Sequence, residues 1–241
     1  MKIYADKDKK SIVTEIDNWP HLKKDKQWKC GRSAMELAKF VLSGTRFQEL
    51  IKIVLTECNV NSDMNFDCYP EYKTSFGKGM GNGGPRVHDM LMKGCELVVG
   101  VEAKVSESFD EKMKIKKGKQ GRDKQGKTRV DKLAKLLDGN RNISYEDIGY
   151  QLFSATYGTM KEAYDCGKDK CIMLVLVFKG NVCEDNNYHK KCEENDNDFN
   201  RFCRFVDVQR GLIERKINDR TIKCWIKKVE VNIGTEYIIE S

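Results

Sequence analysis

Arg86-Val87-His88-Asp89-Met90-Leu91-Met92-Lys93-Gly94-Cys95-Glu96-Leu97-Val98-Val99-Gly100-Val101-Glu102-Ala103-Lys104 is the stretch that decides the fold. One acid, Asp89, precedes an apolar run, and Glu102 and Lys104 are set into the end of that run. Alternation from Val99 to Val105 puts Val99, Val101, Ala103 and Val105 on one face of a strand and Gly100, Glu102 and Lys104 on the other. A chain reversal centred near Cys95–Glu96 lays Asp89 opposite Glu102, so the three charged groups leave the same side of a hairpin. Burying such charges without compensation is costly. Two carboxylates beside one ammonium are balanced when a divalent cation sits between them, and the ammonium is then placed for a phosphate oxygen. The plain alternative is an edge strand whose Glu102 and Lys104 are ordinary solvated charges.

Asp, about a dozen residues and then Glu-x-Lys at the end of a valine-rich strand resembles the core of the PD-(D/E)XK nuclease superfamily. A longer order agrees. Arg32-Ser33-Ala34-Met35-Glu36-Leu37-Ala38 comes first, Val101-Glu102-Ala103-Lys104-Val105-Ser106-Glu107-Ser108-Phe109 follows, and Tyr150-Gln151-Leu152-Phe153-Ser154-Ala155 comes last. In this spacing, over roughly residues 30–205, the segments resemble an uncharacterised bacterial family placed in that superfamily. One departure is His88, which stands where the name-giving pattern has proline. The resemblance implies an α/β fold with a mixed central sheet flanked by helices, restriction-endonuclease-like. It implies that Asp89 and Glu102 hold Mg²⁺ or Mn²⁺, that the Ala103 carbonyl completes the site, and that Lys104 acts on the phosphate. Gln151 is then the helix glutamine that reaches the active site; its plain reading is an exposed polar residue. Glu36 is either an extra acid directed at the metal site or half of a capping box with Ser33.

Oxygen ligands suit the hard Mg²⁺ ion. Such an ion answers both difficulties of phosphodiester hydrolysis, by lowering the pKa of a bound water and by neutralising non-bridging oxygens. Lys104 while protonated is no ligand, and its place is beside the charge that grows in the transition state.

The 241 residues suit one domain, taken as 1–241 with 1–30 as an N-terminal arm anchored by Trp19 and Trp28. No run of about eighteen apolar residues occurs, so no membrane span is expected. The N-terminus has no signal-like apolar core, which reads as cytoplasmic. Ten cysteines are scattered with no C-x-x-C pair and read as reduced thiols. Cys183, His189, Cys192 and Cys203 match no common zinc spacing, and Glu184–Asp198 reads as an acidic polar loop.

Net charge is +7, from 44 Lys+Arg and 37 Asp+Glu, and it is unevenly spread. Lys112–Lys135 holds eleven Lys/Arg against two Asp. Lys116–Thr128 reads as a flexible solvated loop, and Lys116, Lys117, Lys119, Arg122 and Lys124 are its candidate nucleic-acid contacts. Such a basic segment disfavours a small phosphate ester as substrate. Gly77–Pro85 lacks the Gly-Lys-Ser/Thr ending of a P-loop and reads as a mobile loop beside the first acid, able to close over substrate.

Ser33–Leu42, Phe47–Glu57, Thr128–Leu137, Ser144–Tyr164 and Asp198–Val208 are expected helices. Asn65–Tyr72, the continuous apolar run Lys170–Phe178 and the alternating Ile222–Ile239 are expected strands. The expected function is a Mg²⁺-dependent nuclease, a DNA endonuclease of restriction or phage-defence type, with nucleic acid as partner and a homodimer as candidate assembly. The alternative is a nucleic-acid-binding module or complex subunit that keeps the fold without turnover.

Overall fold

The computed structural model describes residues 1–20, 28–29, 31–80, 84–121, 126–140, 142–180, 188–233 and 238–240. Their strands are β1 (Lys2–Ile3), β2 (Asp67–Pro70), β3 (Lys73–Thr74), β4 (Arg86–Val87), β5 (Met90–Lys93), β6 (Leu97–Lys104), β7 (Lys170–Lys179), β8 (Leu212–Ile217), β9 (Arg220–Asn232) and β10 (Ile238–Glu240). Their helices are α1 (Ser33–Leu42), α2 (Thr45–Glu57), α3 (Met113–Lys119), α4 (Arg129–Leu137), α5 (Tyr150–Asp165) and α6 (Tyr188–Phe205). The class is α/β. The main sheet runs β1-β2-β5-β6-β7-β9-β10, with β8 also paired to β9, and β3 and β4 form a small second sheet. β6, β7 and β9 are mutually parallel, whereas β5 is antiparallel to β6. None of the described helices is long and apolar enough to cross a membrane.

β7 is apolar on both faces because both are covered. Ile172, Leu174, Leu176 and Phe178 join the core under α1 and α2; Cys171, Met173, Val175 and Val177 join the core under α4, α5 and α6. β6 follows the expected alternation. Val99, Val101, Ala103 and Val105 enter the first core, and Gly100, Glu102 and Lys104 turn to the α5 side. α4 starts as the sequence indicates: Thr128 accepts the Asp131 N–H while the Asp131 carboxylate accepts the Thr128 N–H.

Several expectations need correction. Ser33 is not the N-cap of α1. Arg32 holds that position, and the Ser33 N–H donates instead to the Glu107 carboxylate at 3.1 Å. α5 begins at Tyr150 rather than Ser144: Gly149 just before it is extended and bridged to Lys112, and the residues ahead of it form turns. The acidic segment after 183 is a helix from Tyr188 on, with Asn195 and Asp198 buried on its inner face ahead of Phe199, Phe202 and Phe205. β8 is a further strand that the sequence reading left unassigned. Of the expected flexible loop Lys116–Thr128, the first residues to Lys119 are helical, as the end of α3. The arm is partly structured: β1 pairs in parallel with β2, and Trp19 is buried.

Candidate active site

β5 and β6 are joined through Gly94–Glu96, with Met90 opposite Val101 and Met92 opposite Val99. One step further in the same register Asp89 faces Glu102. β5 begins only at Met90, where the partner strand breaks: Glu71 takes φ 51°, and its N–H donates to the Asp89 carbonyl at 3.1 Å. The Asp89 side chain then takes over the edge of β6 that β5 leaves, its Oδ2 accepting the Ala103 N–H at 2.7 Å. In a strand, N–H and C=O of one residue leave by the same edge. The Ala103 carbonyl therefore leaves by the edge that carries Asp89.

Glu102 is buried, with two cations on its carboxylate. Arg86 Nη2 donates to its Oε2, and Lys104 Nζ lies 2.9 Å from its Oε1. That second contact is an ion pair, and Oε1 has no further hydrogen-bond partner among the described residues. Lys104 is also buried. Its Nζ donates to Gln151 Oε1 at 2.8 Å and stands 5.5 Å from the centre of the Phe109 ring. Burial works against the Lys104 charge, but Glu102 and Asp89 beside it outweigh that and hold its pKa above the ordinary value. Burial, reinforced by the neighbouring Glu102, pushes Asp89 up to about 7. Glu107 goes the other way: although burial raises it, backbone N–H groups of Val105 and Ser33 hold it below the ordinary range.

Asp89, Lys104 and Gln151 open into a cavity of about 510 Å³, which Arg86, Glu107 and Tyr150 also line. Glu36 does not line it. Its carboxylate accepts the Gly31 N–H at 2.9 Å and lies 3.1 Å from Lys39 Nζ, so it secures the chain entering α1. Among the described residues no group of three or more His, Cys, Asp and Glu is gathered as a metal cluster. The donor set available here is two carboxylates and a carbonyl.

The basic run is less free than its composition implies. Lys116 pairs with Asp110 at 2.9 Å, Lys117 with Asp131 at 2.7 Å, and Lys119 with Glu111. Lys116 borders the cavity; Arg122 and Lys124 lie outside the described residues. The described ends of the glycine-rich loop are tied down, with Arg129 donating to the Met80 and Gly84 carbonyls and Lys132 to Gly79. His88, in the position of the missing proline, is fully buried 3.2 Å from Thr74 Oγ1, and burial holds its pKa well below the ordinary value. Of the zinc candidates, Cys183 lies outside the described residues, and His189, Cys192 and Cys203 belong to α6.

Two members of the site escaped the sequence reading. Arg86 opens the deciding stretch and Glu107 sits in the motif after β6, yet the partners that tie them to the rest of the site are distant in sequence. Their partners, Glu102 and Ser33, are 16 and 74 residues away.

A family model described as a domain of unknown function, DUF6946, matches residues 13–233. The chain belongs to this family. The DUF6946 region holds β2 to β9, helices α1 to α6 and every residue of the cavity named above. No curated protein and no solved structure matches the chain.

Proposed function

We propose that this DUF6946 chain is a Mg²⁺- or Mn²⁺-dependent nuclease of the PD-(D/E)XK type that hydrolyses phosphodiester bonds in DNA, in a restriction or phage-defence role. The observation that carries the reading is that Asp89 from the bend before β5, Lys104 from β6 and Gln151 from α5 line one cavity, with Glu102 buried behind them against Lys104. The donors fit a hard divalent cation. Glu102 Oε1 is a buried carboxylate oxygen met by the Lys104 ammonium at 2.9 Å and by no further hydrogen-bond donor among the described residues, Asp89 lines the cavity, and the Ala103 carbonyl leaves β6 by the edge that carries Asp89.

When bound, such a cation would supply Lewis acidity and neutralise phosphate charge. The chain's own groups supply the rest. Asp89 and Glu102 provide the negative charge that recruits the ion. Lys104, kept protonated by those carboxylates, offers a fixed ammonium to the charge that builds on the phosphate. Gln151 accepts from that ammonium and fixes its direction.

The test is incubation with plasmid, linear and single-stranded DNA in Mg²⁺, Mn²⁺ or EDTA. Wild type should cut in metal and not in EDTA. Lys104→Ala removes no ligand, so it should lose about 100-fold or more in turnover and keep its Mn²⁺ affinity; Asp89→Ala should lose both. A protein that binds DNA but cuts no form with either metal supports instead the binding module without turnover.

A further inference from the structure

Arg86 plays no part in the chemistry above, yet it stands where two cavities meet. It lines the Asp89 cavity and a second one of about 340 Å³, and the two share Lys116, Tyr150 and Ser154 as well. The second cavity has a different character. Arg86, Lys116, Lys119 and Arg129 line it beside Phe76 and Tyr150, and none of its described lining residues is acidic. A groove is thus formed whose first half holds carboxylates and whose second half holds cations.

The Arg86 side chain is 11% exposed. One end of its guanidinium is committed to Glu102 Oε2, while its Nε is buried with no hydrogen-bond partner among the described residues. Fully ionised, Asp89 and Glu102 balance Arg86 and Lys104, two charges against two. A divalent cation on the same carboxylates adds two positive charges beside the Arg86 guanidinium, which sits on the other oxygen of the same Glu102 carboxylate. Arg86 and the ion therefore compete for Glu102. The displaced guanidinium does not have far to go, because its side chain already borders the cavity without acids. Its planar fork matches phosphate oxygens in a way that a lysine does not.

We infer that Arg86 is a substrate clamp released by metal loading: it guards Glu102 in the metal-free protein, and once Glu102 turns to the ion it grips a backbone phosphate of the substrate in the basic cavity. The inference rests on the nuclease reading of the same site. It makes metal binding and substrate binding favour each other through one side chain, since a cation on Glu102 frees Arg86 and a phosphate on Arg86 frees Glu102.

The experiment measures two affinities. Mn²⁺ is titrated calorimetrically into wild type, Arg86→Met and Arg86→Lys, with thermal melts to check folding. A short fluorescent DNA duplex is then titrated in Mn²⁺ in the Lys104→Ala background, with and without Arg86→Met or Arg86→Lys. Arg86→Met should bind Mn²⁺ about tenfold more tightly and DNA about tenfold more weakly, the scale of a single charged hydrogen bond. Arg86→Lys should keep wild-type Mn²⁺ affinity, because the competing charge remains, yet lose DNA affinity with the fork. A merely structural arginine would not move the two affinities in opposite directions. If Arg86→Met does not fold, Arg86→Gln takes its place in both titrations. A wild type that binds Mn²⁺ with an Arg86→Met of equal or weaker Mn²⁺ affinity overturns this inference alone. A wild type that takes up no Mn²⁺ overturns the metal-dependent reading and this inference with it.

Discussion

Asp89 sets the pH dependence expected of the site. Its pKa is raised from 3.8 to about 7 by burial and by Glu102, so the fold favours its protonated form. The sign follows from linkage: the folded state holds this proton more tightly than the unfolded state, so the associated stability is full below about pH 4 and is lost as pH rises through about 7. In EDTA, melting temperature should therefore carry a decline between these limits that Asp89→Asn removes. Metal binding needs the carboxylate, so Mn²⁺ affinity should rise about tenfold per pH unit below 7 and level off above it. Calorimetry from pH 5.5 to 8.5 checks this; a flat profile would mean that the ion does not displace the Asp89 proton. Lys104 stays charged throughout that range, its pKa being raised, and so adds no step to the curve.

At the scale of elements, the site depends on how closely α5 lies on β6. Gly100 of β6 faces Thr159 of α5, and a Cβ at Gly100 would run into Thr159 Oγ1; a Cβ at Gly158 would come within 3.0 Å of His88 Nε2. Gln151 reaches Lys104 because the helix is allowed this approach. Gly100→Ala should destabilise the protein by about 1–3 kcal/mol through overpacking, and Thr159→Ala should return part of it, a coupling that a double-mutant cycle in urea measures. Additive losses would count against this contact. The same pair of elements shows what a sequence discloses. β6 and β7 were legible because their apolar residues alternate or run unbroken, and the hairpin register followed from the spacing of Asp89 and Glu102. Gln151 was legible only through its place in an ordered pattern. Of α6 only the part from Asp198 on was legible; the turns leading up to it were not, because the inner face there carries Asn195 and Asp198, which are buried by bonds to the Glu107 carbonyl and to Lys112 rather than by apolar character. Arg86 and Glu107 were missed for a related reason: their roles are set by partners that only the fold brings near.

The electrostatics of the whole molecule bear on how it would hold a polyanion. The eleven Lys/Arg of Lys112–Lys135 overstate the cations on offer, since Lys116, Lys117 and Lys119 on α3 are each matched by a carboxylate from a neighbouring turn or helix. These pairs are at least partly exposed, and such pairs contribute little to stability, about 0–1 kcal/mol each. They can be exchanged for phosphate at small cost. Two opposed changes follow. Replacing the three lysines by glutamine should weaken binding and reduce the dependence of log affinity on log salt by at most about 2.7, near 0.9 for each phosphate that is no longer neutralised. Replacing their partners, Asp110→Asn with Glu111→Gln, should strengthen binding at low salt, because Lys116 and Lys119 are then free before the nucleic acid arrives. Both variants should melt close to wild type. Fluorescence anisotropy with duplex DNA across about 50–200 mM salt reads both effects. A lysine variant with unchanged slope, or an acid variant with unchanged affinity, would place the nucleic acid away from α3 and leave that helix as a self-neutralised surface.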